Sequence, residues 1–263
     1  GFASGLLVPR AGELLRPWLV SRRYPISTSA GFATIILERL VDLITVLALF
    51  ALYLFVLPAP AVQVEGRLTD LIKLGGAAAG VGALVVLFFL LALHSNAERV
   101  VGAVERLLAR TPRWVAEPLG RILQSFSEGL AVLRAPFPHL AMIAAQSLAI
   151  WLLIALGFHL NHQSFGIDLP FHATFLLIAF LVVGVAIPTP GMVGGFHAFY
   201  LIALSQVFGI DKTAAAAAGI AAHALTNLPI LVFGLALLGR EGLSLGRVAA
   251  VTREEQKLSE VRP

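Results

Sequence analysis

Residues 34–57 read "TIILERLVDLITVLALFALYLFVL". Glu38, Arg39 and Asp42 stand in its first half, and no further charge follows before Pro58. A helix needs about 20 apolar residues to cross a hydrocarbon core, and this run supplies them. An ionised side chain at the bilayer centre costs about 3 kcal/mol on insertion scales. The three charges therefore belong on a face turned to the interior of a helix bundle or to a wet cavity.

Comparable runs recur along the chain, at 31–57, 72–94, 137–160, 169–187, 192–208 and 213–238. The composition agrees: 58% of the 263 residues are hydrophobic and 13% are charged, with a mean hydropathy of +0.89. Helices satisfy their own backbone hydrogen bonds in lipid. The sequence therefore predicts an all-α, polytopic helical membrane protein. The fifth segment follows "PTPG" and is short for a span. It reads either as a crossing helix or as the re-entrant partner of the fourth, as in transporters with broken helices. Residues 1–8, "GFASGLLV", read as the tail of an apolar segment, so an upstream span is expected. No basic stretch followed by a small-residue cleavage site marks a signal peptide. Cysteine is absent, which removes disulfides and thiolate metal sites from consideration.

The basic residues set an orientation. Arg10, Arg16, Arg22 and Arg23 precede the first span, and Arg99, Arg106, Arg110, Arg113, Arg121 and Arg134 lie within 95–136. Arg240, Arg247, Arg253, Lys257 and Arg262 follow the last span, whereas 161–168 holds no Lys or Arg. By the positive-inside rule these basic segments, including the polar tail 239–263, face the cytoplasm of a cell-membrane protein. Within 95–136, Val100, Val101, Val104, Leu107 and Leu108 share one helical face, so this segment is expected to form amphipathic surface helices. A solvated connector packed on the bundle explains the same pattern. The membrane domain is thus drawn at 1–238 and the tail at 239–263.

Two stretches share a grammar. "VPRAGELLRPWLVSRRYPISTSAGFATIILERLVDLI" and "IPTPGMVGGFHAFYLIALSQVFGIDKTAAAAAGIAAHALTNLPIL" each open with Pro-x-x-Gly and continue into a short helix. Each then turns at a polar patch and enters a long span with polar residues near its first third. The charge rule places the two turns on opposite sides, the signature of an inverted repeat with a substrate site between its halves.

Several side chains are candidates for chemistry. Glu38 and Asp42 are four apart on one helix face, and Arg39 and Asp42 are three apart and can pair. They either pin the span to its neighbours or line a polar path in which Arg39 meets an anion. Arg10, Glu13 and Arg16 repeat every three residues. They either snorkel at the interface or capture phosphate, which the planar guanidinium fork suits. In "PTPGMVGGFH", Pro188 and Pro190 stop the preceding helix, while Gly191, Gly194 and Gly195 permit a bend and a close approach. The helix that follows would aim free N–H groups at an anionic head group; a packed hinge is the competing reading. His197 stands one turn in. His223, Thr226 and Asn227 occupy places in the last span like those of Arg39 and Asp42 in the first, and a cross-helix hydrogen bond from His223 is the structural alternative. His94, His139, His159, His162 and His172 lie mostly near span ends and form no metal-ligand spacing. No nucleotide-binding loop, zinc-protease motif or serine-nucleophile motif is present, so no metal, cofactor or catalytic set is expected.

Taken together, "LLVPRAGELLRPWLVSRR", "LERLVDLI", "PTPGMVGGFHAFYLIALSQVFGI" and "HALTNLPILVFGLALL" resemble the transmembrane region of lysylphosphatidylglycerol synthases, a flippase-like family. The resemblance runs from about residue 5 to 238. It implies movement of an anionic or aminoacylated phospholipid between leaflets, with Arg10, Glu13, Arg16, Glu38, Arg39 and Asp42 matching the first motifs and Pro188, Pro190, Gly191 and Gly194 the last. Bifunctional members carry a soluble aminoacyl-transferase domain after the membrane part. Residues 239–263 are too few for one, so lipid modification is not expected of this stretch.

Three functions follow as expectations. The first is a translocator or binder of phospholipid, with an anionic head group and the bilayer as partners. The second is a non-transporting scaffold that recruits a separate synthase or a second copy of itself. The third is a membrane enzyme using Glu38 and Asp42 as acid and base. Nothing points to nucleic acid.

Overall fold

The computed structural model describes residues 16, 20, 28–57, 74–77, 80–82, 84–85, 88, 99, 102, 106, 136–187 and 189–240. Among them the ordered elements are helical, and no strand occurs. They are α1 (Thr28–Phe55), α2 (Phe137–Ser164), α3 (Ala173–Ala186), α4 (Gly195–Leu201, continued by a π-helical turn over Ile202–Val207) and α5 (Lys212–Arg240). A 3-10 turn, Pro190–Met192, separates α3 from α4.

The predicted spans at 31–57, 137–160 and 213–238 correspond to α1, α2 and α5. The span predicted at 72–94 is helical at each of its described positions. Among the described residues two helices, Phe137–Ser164 and Lys212–Leu237, are long and apolar enough to cross a membrane. The predicted segment 169–187 begins later than expected because a turn occupies 165–172 before α3. Of the predicted surface helices at 95–136, only Arg99, Gly102, Arg106 and Pro136 are described, and the first three are helical. The tail after 240 and the first half of the repeat, apart from Arg16, Val20 and 28–57, lie outside the described residues.

The chain divides into two compact units, neither of them contiguous: 1–40 with 86–141 and 232–263, and 41–85 with 142–231. In the second unit α1 contributes Val46, Leu49, Phe50 and Tyr53, spaced as one helical stripe, to a buried core. Leu43, Leu52 and Phe55 on its other face are exposed. α2 inverts the habit of a soluble helix. Its buried face carries Ser147, Asn161 and His162, while Leu148, Ile150, Leu153, Leu156 and Leu160 are exposed. An arrangement with polar groups inside and large apolar groups outside suits a lipid solvent.

α3 and α4 form a tight antiparallel hairpin. Phe180 faces Phe199 at 6.5 Å between rings, and Gly184 meets Gly195 so closely that a Cβ on either would strike the other's carbonyl oxygen. At 14 residues, α3 is about 21 Å long, short of the roughly 30 Å hydrocarbon core. α4 ends at Gly209 (φ 69°), and Asp211 opens α5 by accepting from the backbone N–H groups of Thr213 (2.8 Å) and Ala214 (3.0 Å). The alanine-rich start of α5 then packs Ala215, Ala218 and Ala222 inward, with Gly219 against the Tyr200 ring.

Candidate functional site

The tip of the hairpin is the least regular part of the described backbone. Gly191 (φ 63°), Met192 (φ 59°) and Gly194 (φ 96°) all occupy positive φ. Two are glycines, which tolerate that region; Met192 does so at a cost of order 1 kcal/mol, the kind of strain that collects at functional sites. Pro190 opens the 3-10 turn and is exposed, as is Gly194. Pro188 lies outside the described residues. The helix predicted after the break begins at Gly195, with Gly194 preceding it as its cap.

Across from the tip, His223 of α5 lies with Nε2 2.7 Å from the Gly191 carbonyl oxygen. A carbonyl only accepts, so Nε2 carries the proton. His223 stands about 17 Å along α5 from Lys212. His197 joins it, with ring centroids 4.6 Å apart, and Phe196 closes the other side of His223 at 5.2 Å. The sequence placed His197 and His223 in separate segments; the fold makes them neighbours, both half-buried. Asn227 does not join them, because its amide donates to the His223 carbonyl at 2.9 Å. Thr226 likewise bonds back to Ala222.

In the first unit, Glu38 bridges two guanidiniums. Arg39 Nη2 lies 2.8 Å from its Oε1, and Arg16 Nη2 lies 3.3 Å from its Oε2. One carboxylate thus takes two guanidiniums, and the Arg39 side chain is 50% exposed. Arg10 and Glu13 lie outside the described residues.

Asp42 also draws partners from outside its own helix. Ser147 Oγ donates to its Oδ1 at 2.9 Å and Trp151 Nε1 at 3.1 Å, both from α2. Thr45 shares the Ser147 hydroxyl at 3.1 Å. Ser147 and Trp151 were missed from the sequence, although their four-residue spacing puts two donors on one face of an apolar helix. Among the described residues no group of three metal-ligating side chains converges.

Comparison with known proteins accords with a membrane region. The chain is 25% identical over 276 aligned positions to the glycosyltransferase AglD of Haloferax volcanii, a match that covers 96% of the chain and 43% of that protein. The chain thus spans less than half the length of this curated relative. No solved structure matches it. The family described as the lysylphosphatidylglycerol synthase transmembrane region matches residues 1–234, nearly the whole sequence. On the strength of that match, and of helices that bury polar groups and expose apolar ones, the chain is a membrane protein and belongs to this family.

Proposed function

We propose that the chain binds the head group of an anionic phospholipid within the membrane and moves it between leaflets. The observation that carries this reading is the broken hairpin, whose irregular tip is tied by His223 of the apolar helix α5; we place that tip within the bilayer. Non-helical backbone at that depth is tolerated only where protein buries it or water reaches it. Transporters build substrate sites from such interrupted helices. His197 and His223 offer ring nitrogens beside the tip, and the guanidiniums of Arg16 and Arg39 have the planar donor fork that suits a phosphate. The acyl chains would stay in lipid while the head group passes. The distribution of Lys and Arg supports a cytoplasmic position for the tail, with the protein in the cell membrane.

The test is a liposome assay with purified protein and fluorescent phosphatidylglycerol, following access of the inner-leaflet pool to an aqueous quencher. Accelerated access that Arg39→Ala and His223→Ala remove supports translocation. Absence of acceleration with phosphatidylglycerol overturns it for that lipid.

A second reading rests on the partial match to AglD. A membrane region shared by proteins named as a lysylphosphatidylglycerol synthase and a glycosyltransferase would hold a lipid-linked substrate for a catalytic part elsewhere. Binding of fluorescent phosphatidylglycerol without any change in leaflet access favours this reading.

A further inference from the structure

A separate cluster lies at the end of the second unit where α1 and α2 finish and α3 begins. His162 is 1% exposed, as is Tyr53. Neither ring nitrogen of His162, nor the Tyr53 hydroxyl, nor Nδ1 of His159 has a hydrogen-bond partner among the described residues, and all four atoms are buried. Around them stand His172 against Tyr53 (6.1 Å), Phe171 against His159 (5.8 Å) and Tyr200 against His162 (6.0 Å). Neighbouring Asn161, by contrast, is satisfied by the Tyr200 hydroxyl at 3.1 Å and the Ala218 carbonyl at 3.0 Å. The contrast matters, because buried polar groups in native proteins are nearly always paired. Buried atoms left unmet on His162, His159 and Tyr53 make this packed arrangement unfavourable relative to one that lets water in.

We infer that His162 is a proton-binding site, closed in this structure and hydrated when the end of the unit around Gly166 opens. The linkage follows from the geometry. In the closed arrangement an imidazolium at His162 would sit in an apolar surround with no acceptor. In an open one, water would solvate it. A proton therefore binds the open arrangement better, and acid shifts the population toward it. His159, three residues earlier on the same helix, opposes a second charge when it is itself protonated. The other ionisable groups on the elements at this end are Tyr53 of α1, Asp168 and His172 of the turn, Tyr200 of α4, and Asp211 and Lys212 at the start of α5. Nothing in this inference requires that the cargo be a lipid.

The cysteine-free chain permits a direct test. Ala173, 1% exposed at the start of α3, is replaced by Ala173→Cys, and exposed Ser164→Cys serves as reference in a second sample. The readout is the ratio of their labelling rates by a water-soluble maleimide, which cancels the pH dependence of the thiol. One proton changes the open fraction by at most about tenfold per pH unit. The expected result is a rise of about tenfold or more in the Ala173→Cys ratio between about pH 8 and about pH 5.5, the window in which imidazoles gain a proton. That rise should vanish in His162→Phe and His162→Gln, each checked for folding by its monodispersity. A flat ratio with His162 present overturns the inference without recourse to any His162 variant. So does a rise that persists in both variants, which would assign the proton to His159, His172 or Asp168. Because labelling reports exposure alone, its result stands apart from the lipid assay.

Discussion

His223 and Gly191 are 32 residues apart and joined by a 2.7 Å hydrogen bond from an imidazole N–H to a backbone carbonyl. The bond ties the tip of a broken hairpin to the longest described helix. Removing the donor leaves a half-buried carbonyl without its partner, at about 1–3 kcal/mol. His223→Phe should therefore lower the thermal unfolding midpoint and abolish leaflet access in the phosphatidylglycerol assay. His223→Gln, which keeps a side-chain N–H, should recover part of both. Unchanged unfolding in His223→Phe would show that the tip is held by other means.

The hairpin also depends on how closely its arms approach. A Cβ added at Gly184 would sit 2.7 Å from the Gly195 carbonyl oxygen and 3.0 Å from Phe199. The obstacle is backbone, which has no rotamer to yield. Gly184→Ala or Gly195→Ala should destabilise by about 1–3 kcal/mol, as overpacking generally does. Gly157→Ala on α2, where a Cβ meets nothing within 4 Å, should be neutral. Equal stability of all three variants would refute the close packing.

What the sequence revealed and what it concealed follow from range. Hydrophobic runs located α1, α2 and α5, and "PTPG" announced the break between α3 and α4, because those signals are local. His223 was legible as a polar residue in an apolar helix, but its partner Gly191 was not, since periodicity reports neighbours along one helix only. The same limit hid Ser147 and Trp151 as donors to Asp42, at separations of 105 and 109 residues. The unpaired His162 was equally invisible: one histidine near a span end looks the same whether or not its nitrogens are met.

Asp42, with two donors from α2, is placed to lock α1 against that helix. A hydrogen bond to a charged acceptor contributes about 1.5–3 kcal/mol when well buried, and less at a half-buried position. A double-mutant cycle between Asp42→Ala and Ser147→Ala should give a coupling on the order of 1 kcal/mol. Asp42→Asn keeps the accepting oxygen and should stay near the parent stability. If Asp42→Asn folds normally yet stops lipid access, the negative charge serves the cargo and not the helix pair.

Asp211 offers a prediction outside the membrane-spanning segments. The backbone N–H groups of Ala214 and Thr213 hold its carboxyl below the ordinary range, and the helix start they belong to favours negative charge. A carboxyl held low in the folded state stabilises above its unfolded value and loses that contribution as pH falls through the folded one. Asp211→Ala should thus lower the unfolding midpoint at neutral pH, with the gap to the parent closing only as the pH falls below the ordinary carboxylate range and the parent's carboxylate is protonated. Asp211→Asn, itself a good helix cap, should retain most of the neutral-pH stability while losing the acid-sensitive part. Thermal unfolding of the three proteins in one detergent, from neutral pH to below that range, decides the matter. A parent whose advantage over Asp211→Ala is the same at both ends would show that the cap acts through shape alone.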